Sequence, residues 1–183
     1  MMILVTGGSG SGKSAFAEDC VLALGEKKRI YIAKMFPFDE ESKKRVARHR
    51  NMRKGKGFET VECYAGLKNV RIDKNSTVLL ECMSNLVANE MFQESGAREN
   101  TVNAVMEGIR SLREQTGDLV IVTNEIFSEA ARYEGETETY QRYLGEINQK
   151  LAVLSDQVVE VVYGIPVYHK QELAPLDFEK IHK

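Results

Sequence analysis

Residues 7–14 read Gly7-Gly8-Ser9-Gly10-Ser11-Gly12-Lys13-Ser14, which matches the P-loop pattern GxxxxGK(S/T) at every fixed position. The glycines allow the backbone to curl so that successive N–H groups point inward and hold phosphate oxygens. Lys13 supplies a cation for the β- and γ-phosphates, and the Ser14 hydroxyl is a typical Mg²⁺ ligand. We therefore expect this segment to bind a nucleoside triphosphate with Mg²⁺; the alternative is a glycine-rich turn that binds nothing.

The residues on either side of the loop have the patterns of a strand and a helix. Ile3–Thr6 is a short apolar run, and Ser14–Leu24 has apolar residues at helical spacing before Gly25. A helix that begins in this loop would add its positive N-terminal end to the phosphate site.

Strand and helix patterns alternate along the rest of the chain. Further strands are predicted at Arg29–Ala33, Phe58–Cys63, Thr77–Cys82, Asp118–Thr123 and Gln157–Tyr163, the last of which is expected to close the sheet. Further helices are predicted at Asp39–Arg53, Ser84–Phe92, Thr101–Gln115 and Glu136–Ser155. This alternation predicts an α/β fold, a P-loop NTPase-like and mostly parallel sheet with helices on both faces. We expect one nucleotide-binding domain over residues 1–170 and a loose C-terminal tail over residues 171–183.

The composition is that of a soluble globular domain. The 183 residues are 43% hydrophobic and 28% charged, and the net charge of −2 provides no basic field for nucleic acid. The three cysteines, Cys20, Cys63 and Cys82, have no CxxC spacing, so a disulfide framework or a zinc site is not expected. Reduced thiols favour a cytoplasmic location. The N-terminus lacks a signal-peptide pattern, and no apolar run approaches the roughly 18 residues of a membrane span.

Two carboxylates stand where a P-loop enzyme needs an acid near its metal. Glu81 ends the strand pattern TVLLE, and Glu125 follows DLVIVTN. Either could hold Mg²⁺ through water or orient a nucleophile, and Glu81 is the favoured candidate. The alternative is that each carboxylate caps a following helix.

His49 lies in a locally basic segment, Arg48–Gly57, that begins RHRNMR. Arg50 and Arg53 could neutralise phosphates while the imidazole attacks one of them. A solvated charged face is the alternative, because a lone histidine is more often structural or exposed than catalytic.

The motifs MILVTGGSGSGKS, YIA, RHRNMR, FETVE, LLEC and VTNE occur in this order, and the chain resembles the adenosylcobinamide kinase / adenosylcobinamide-phosphate guanylyltransferase family over roughly residues 2 to 165. The resemblance implies a homotrimeric P-loop enzyme of cobalamin biosynthesis whose substrates are ATP or GTP and a corrinoid. Its two steps would be phosphorylation of adenosylcobinamide and guanylylation of the resulting phosphate. The second step would pass through a covalent GMP-histidine intermediate at His49.

The same resemblance implies a set of site residues. His49 and Lys13 would be catalytic, and Ser14 and Glu81 would hold the metal. The guanine nucleotide site would comprise the loop from Gly7 to Ser14 together with Lys34, Met35, Phe36, Arg50, Asn51, Met52, Arg53, Glu62 and Glu81. No base-reading motif such as NKxD is present, so the choice between ATP and GTP stays open.

Two segments depart from the family pattern. Lys34-Met35-Phe36 follows YIA, where the family usually has small or hydroxyl residues, and the family's glycine-rich VGMGIVP after Asn124-Glu125 is replaced by IFSEAARYEGETETY. Two alternatives therefore stay open, a P-loop kinase for another small alcohol and a nucleotide-binding module without transferase activity.

Overall fold

The computed structural model describes residues 1–34, 40–127, 134–173 and 176–178, without the side chains at positions 41–43, 45, 48, 49 and 52. Within these residues the strands are β1 (Met2–Thr6), β2 (Lys28–Ala33), β3 (Phe58–Glu62), β4 (Ser76–Glu81), β5 (Asp118–Val122), β6 (Gln157–Val162) and β7 (Ile165–Gln171). The helices are α1 (Lys13–Ala23), α2 (Glu40–Arg53), α3 (Met83–Phe92), α4 (Thr101–Gln115) and α5 (Glu136–Leu154), with short 3-10 helices at Leu67–Asn69 and Arg98–Asn100.

The strands form a seven-stranded sheet in the order β3-β2-β4-β5-β1-β6-β7. Neighbours from β3 to β6 pair in parallel, and β7 pairs antiparallel to β6. Every residue of β4 and β5 is buried, which is typical of parallel strands covered on both faces.

Alternate residues of the central strands β1, β2, β4 and β5 pack into two different cores. In β1, Ile3 and Val5 face the core that α1 covers, whereas Met2 and Leu4 face the core that α3, α4 and α5 cover. The predicted arrangement of helices on both faces is confirmed. Because α1 follows β1 on one face and α5 follows β5 on the other, a crevice opens at the carboxyl ends of these neighbouring strands.

The predicted helices and strands are confirmed to within one residue at each end. The prediction that Gln157–Tyr163 closes the sheet is wrong, because β7 lies outside it. A two-residue turn joins β6 to β7, with positive φ angles of 51° at Tyr163 and 81° at Gly164, as a tight hairpin requires. Pro166 obscures β7 in the sequence, since proline is tolerated only in an edge strand.

The expectation of a loose end after Lys170 is also wrong for the residues described there. Leu176 and Phe178 pack against the core beneath α1. The rings of Phe16 and Phe178 lie 5.6 Å apart between centroids. None of the helices in the described ranges is long and apolar enough to cross a membrane.

Candidate nucleotide-binding site

The loop from Gly7 to Gly12 connects β1 to α1 at the carboxyl edge of the sheet. Gly12 adopts a φ of 95° and lies so close to the β6–β7 turn that an added Cβ would stand 3.3 Å from the Gly164 Cα. The Gly164 N–H donates a 2.8 Å hydrogen bond to the Ser11 carbonyl. The β6–β7 turn therefore packs against the P-loop and stabilises its conformation. The Lys13 ammonium lies across the loop and donates to the Gly8 carbonyl at 3.0 Å.

Ser14 and Glu81 meet at the mouth of this loop. The Ser14 hydroxyl donates to Glu81 Oε1 at 2.5 Å, and the Tyr31 hydroxyl donates to Glu81 Oε2 at 2.7 Å. Burial and the Glu81 carboxylate raise the pKa of Tyr31, so its hydroxyl remains a donor. A hydroxyl and a carboxylate this close are the oxygen ligands that Mg²⁺ uses beside phosphate and water. The described residues contain no group of three or more His, Cys, Asp or Glu that could hold a metal by themselves.

Arg53 packs on the ring of Tyr31, whose hydroxyl donates to the same Glu81 carboxylate. Its guanidinium carbon lies 3.3 Å from the centroid of the Tyr31 ring, a cation–π contact. The side chain is buried, and its Nη1 has no hydrogen-bond partner within the described part of the chain. An unsatisfied donor in this position is suited to an anionic ligand.

One cavity of about 590 Å³ joins these groups, a size typical of small-molecule sites. The predicted residues that line it are Ser9, Gly10, Ser11, Gly12, Lys13, Ser14, Lys34, Arg50, Arg53, Glu62 and Glu81. Four of these side chains are cationic and two are anionic, which favours an anionic ligand. Arg50 and Glu62 are exposed at the rim and form an ion pair of 3.3 Å.

Lys34 is the most deeply buried of the cations in this cavity, with 1% of its surface exposed. Its Nζ has no hydrogen-bond partner among the described residues. Burial lowers the pKa of Lys34, and the nearby Cys63 thiol and Glu90 carboxylate oppose that effect only in part.

Other predicted site residues either lie outside the described part of the structure or do not line the cavity. Met35 and Phe36 lie outside the described residues, as do the side chains of His49 and Met52. The backbone of His49 is helical and stands between Val46 and Arg50 of α2, whose side chains line the cavity. Gly7, Gly8 and Asn51 are not among the lining residues.

Glu125, the second candidate acid, does not line the cavity within the described part of the chain. Its N–H donates to the Gly7 carbonyl at 3.2 Å, and its Oε1 accepts a 2.8 Å hydrogen bond from the Phe127 N–H. The first contact joins this segment to the start of the P-loop, and the second closes a local turn. The contact with Ser14 therefore favours Glu81 as the candidate acid near a metal.

The cavity is also lined by residues that the sequence did not predict as site residues. Those with polar side chains are Tyr31, Thr60, Tyr64, Cys82, Asn85 and Asn124, and the apolar ones are Ala15, Ala33, Val46 and Val122. Tyr31 lies in the YIA motif, but its apolar neighbours in the sequence indicate an ordinary core residue. No sequence pattern marks Asn85, which enters the cavity only because α3 starts beside Glu81.

Comparison with known proteins gives the following similarities. A family model described as cobinamide kinase / cobinamide phosphate guanyltransferase matches residues 3–168. The bifunctional adenosylcobalamin biosynthesis protein CobU of Escherichia coli (strain K12) is 33% identical over 182 residues, which covers 91% of this chain and 98% of that protein. The protein of the same name from Salmonella typhimurium is 31% identical with the same coverage.

Two solved structures share the fold at low identity. The flagellar accessory protein FlaH from Methanocaldococcus jannaschii has a TM-score of 0.53 and 11% identity, over 96% of this chain and 80% of that one. The KaiC-like protein PH0186 from Pyrococcus horikoshii OT3 has a TM-score of 0.52 and 13% identity, over 96% and 82% of the two chains. These similarities concern the P-loop NTPase-like fold alone.

Proposed function

Because this chain belongs to the cobinamide kinase / cobinamide phosphate guanyltransferase family, we propose that it phosphorylates adenosylcobinamide and then transfers GMP to the product. The observation that carries the proposal is that one cavity joins the P-loop, the Ser14–Glu81 pair and the side chains of Arg50 and Arg53 in α2. One nucleotide-binding domain, over residues 1–170, would perform both steps.

In the kinase step the P-loop N–H groups and Lys13 hold the phosphates of ATP or GTP. Ser14 and Glu81 are placed to hold Mg²⁺, which when bound would offset the negative charge of the triphosphate. The acceptor hydroxyl attacks the γ-phosphorus, and the nucleoside diphosphate leaves. The fixed donors of the loop lower the barrier because they need no reorganisation as charge moves.

In the transferase step His49 is the proposed nucleophile. A ring nitrogen attacks the α-phosphorus of GTP, an N–P bond forms, and pyrophosphate leaves. An unperturbed histidine, with a pKa of about 6.5, is mostly neutral at pH 7 and can attack without a separate base. Arg50 and Arg53 follow His49 by one and four residues in α2, where they can stabilise the charge on the α-phosphate.

The experiment is incubation of the protein with Mg²⁺ and α-³²P-GTP, followed by denaturing electrophoresis. A phosphoramidate is labile in acid and stable in base, so the label should survive alkali and disappear in acid. γ-³²P-GTP should give no label. His49→Ala should abolish the label, whereas His169→Ala should retain it, because His169 is exposed on β7 and pairs with Glu160. Wild-type protein without an α-label would refute the transferase half of the proposal.

A homotrimer is part of the same proposal and rests on family membership. The hairpin of β6 and β7 exposes Val162, Tyr163 and Ile165, an apolar edge that an oligomer could cover. Light scattering should return three times the 20.6 kDa of the chain. A single-chain mass across micromolar concentrations would contradict this. We also propose a cytoplasmic location, consistent with the three unpaired cysteines.

A further inference from the structure

Lys34 has the surroundings of a ligand-binding cation. Its side chain is buried and lines the same cavity as the P-loop, and its Nζ has no hydrogen-bond partner in the described ranges. The backbone is fixed, because the Lys34 carbonyl accepts a 2.9 Å hydrogen bond from the Asn89 amide. A buried ammonium without a partner is unfavourable unless a ligand supplies the missing acceptor.

The protein does not supply that acceptor through Glu90. The Glu90 carboxylate accepts hydrogen bonds from the Gly66 N–H at 2.7 Å and from the Ala97 N–H at 3.0 Å. These bonds hold it against two loops, and no hydrogen bond joins it to Lys34. The Glu90 charge and the neighbouring Cys63 thiol, a weak acceptor, favour the ammonium form. No carboxylate or carbonyl of the described residues accepts a hydrogen bond from the Lys34 Nζ, so an anion entering the cavity would meet a cation without a strong acceptor.

The position of Lys34 separates it from the phosphates of the nucleotide. It follows β2, whereas the P-loop follows β1, and β5 and β4 lie between these strands. Three strand spacings amount to about 14 Å. Glu81, which ends β4, meets Ser14 between them. Lys34 therefore stands beyond the proposed metal position, away from the loop that is proposed to hold the nucleotide phosphates.

We propose that the Lys34 ammonium binds the phosphate group of the phosphorylated acceptor and so selects the substrate of guanylyl transfer. This inference rests on the proposed function, in which that phosphate monoester is the product of the first step and the substrate of the second. In the second step an oxygen of this phosphate attacks the phosphorus of the GMP–histidine. The new P–O bond forms, the N–P bond breaks, and its electron pair returns to the imidazole.

Lys34 would hold the attacking phosphate and partly neutralise it without taking part in bond making. A charge-assisted contact to a phosphate is worth enough to change an affinity by about tenfold to a hundredfold. The unphosphorylated cobinamide carries no such group and gains nothing from Lys34.

The test compares Lys34→Met with wild type in the two half-reactions. Guanylyl transfer should show a KM for cobinamide phosphate raised about tenfold or more. The KM for unphosphorylated cobinamide and the stoichiometry of α-³²P label on the protein should stay within about threefold of wild type. Lys54→Met, an exposed lysine that follows α2, is the matched control and should change none of these quantities.

Other outcomes would overturn the inference. An unchanged KM for cobinamide phosphate would refute it, and a loss confined to the α-label would assign Lys34 to the nucleotide. Equal increases in KM for both acceptors would indicate a role in shaping the cavity. If Lys34→Met does not fold, Lys34→Gln provides the same comparison. If wild type transfers no guanylyl group to any acceptor, the proposed function has failed and this inference with it.

Discussion

The Ser14 hydroxyl and the Glu81 carboxylate, 67 positions apart in the chain, are joined by a hydrogen bond of 2.5 Å. The bond connects the first turn of α1 to the end of β4. It forms because β5, which pairs with both β1 and β4, brings their carboxyl ends to one edge of the sheet. Two oxygen ligands of the kind that Mg²⁺ prefers are thereby adjacent before any nucleotide enters.

Glu81→Gln should slow both transfer reactions about 100-fold at limiting Mg²⁺, equivalent to roughly 2.7 kcal/mol, because an amide is a poorer partner for a divalent cation. The measurement is the initial rate as a function of Mg²⁺ concentration. Tyr31→Phe is the control, since it removes the 2.7 Å hydrogen bond to the other carboxylate oxygen and leaves the carboxylate charge in place. A Glu81→Gln rate equal to that of wild type at low Mg²⁺ would show that this carboxylate does not serve the metal.

Lys13→Ala should weaken triphosphate binding while the protein stays folded. In the ligand-free loop the ammonium donates to the Gly8 carbonyl and does not lie in the core, so its removal disturbs little of the packing. The lost contacts to phosphate are worth roughly 1.5–3 kcal/mol, an affinity decrease of about 10- to 150-fold. Titration with a fluorescent GTP analogue measures it, with exposed Lys74→Ala as the control. Unchanged affinity in a folded variant would mean that residues 7–14 do not hold the triphosphate.

The sequence predicts those parts of the fold whose patterns are local. The apolar runs of β4 and β5 identify buried parallel strands, and the glycines and Lys13 identify the phosphate loop. The strand order is not a local property of the sequence, and the contact between Ser14 and Glu81 depends on it. The pattern predicts a carboxylate at the end of a strand and favours Glu81, but only the pairing of the sheet shows that Glu81 meets Ser14.

The cationic part of the site likewise combines residues that the sequence predicts with contacts that it does not predict. The basic segment with Arg50 and Arg53 is evident in the sequence, but the packing of Arg53 on Tyr31 is not, because it depends on the return of α2 over β2. Lys34 was expected in the site by resemblance alone. Nothing in its neighbourhood along the chain predicts burial. The Asn89 amide of α3 donates to the Lys34 carbonyl and to the Tyr64 carbonyl after β3, and so ties these segments together.

Two helical glycines should respond in opposite ways to alanine. A Cβ at Gly108 in α4 would stand 2.6 Å from the Leu67 Cβ, so Gly108→Ala should lower the free energy of unfolding by about 1–3 kcal/mol. A Cβ at Gly145 in α5 would make an ordinary contact of 3.5 Å with the Phe127 ring. Gly145→Ala should therefore raise that free energy by up to about 1 kcal/mol, the gain in helix propensity. Denaturant titrations at equal protein concentration measure both, and a Gly108→Ala variant as stable as Gly145→Ala would contradict the close packing of α4 on Leu67.

Lys34→Met should stabilise the ligand-free protein, because it replaces a buried ammonium by an apolar side chain of similar length, and no residue in the described ranges accepts a hydrogen bond from that ammonium. At pH 7 the expected gain is about 1–3 kcal/mol in the free energy of unfolding. Burial lowers the pKa of Lys34 in the folded state below its ordinary value of 10.5. Between those two pKa values the unfolded chain binds more protons, so the stability of wild type should rise with pH, and the cost of the buried charge is present in full only below the folded pKa. The difference in the free energy of unfolding between variant and wild type should therefore be largest near neutral pH and shrink toward pH 10. Tyr31 and the other titratable groups are present in both proteins, so their contributions cancel in this difference. The measurement is chemical denaturation at a series of pH values and a fixed protomer concentration. A variant less stable than wild type at pH 7 would mean that the protein itself satisfies the ammonium and that no ligand is needed to do so.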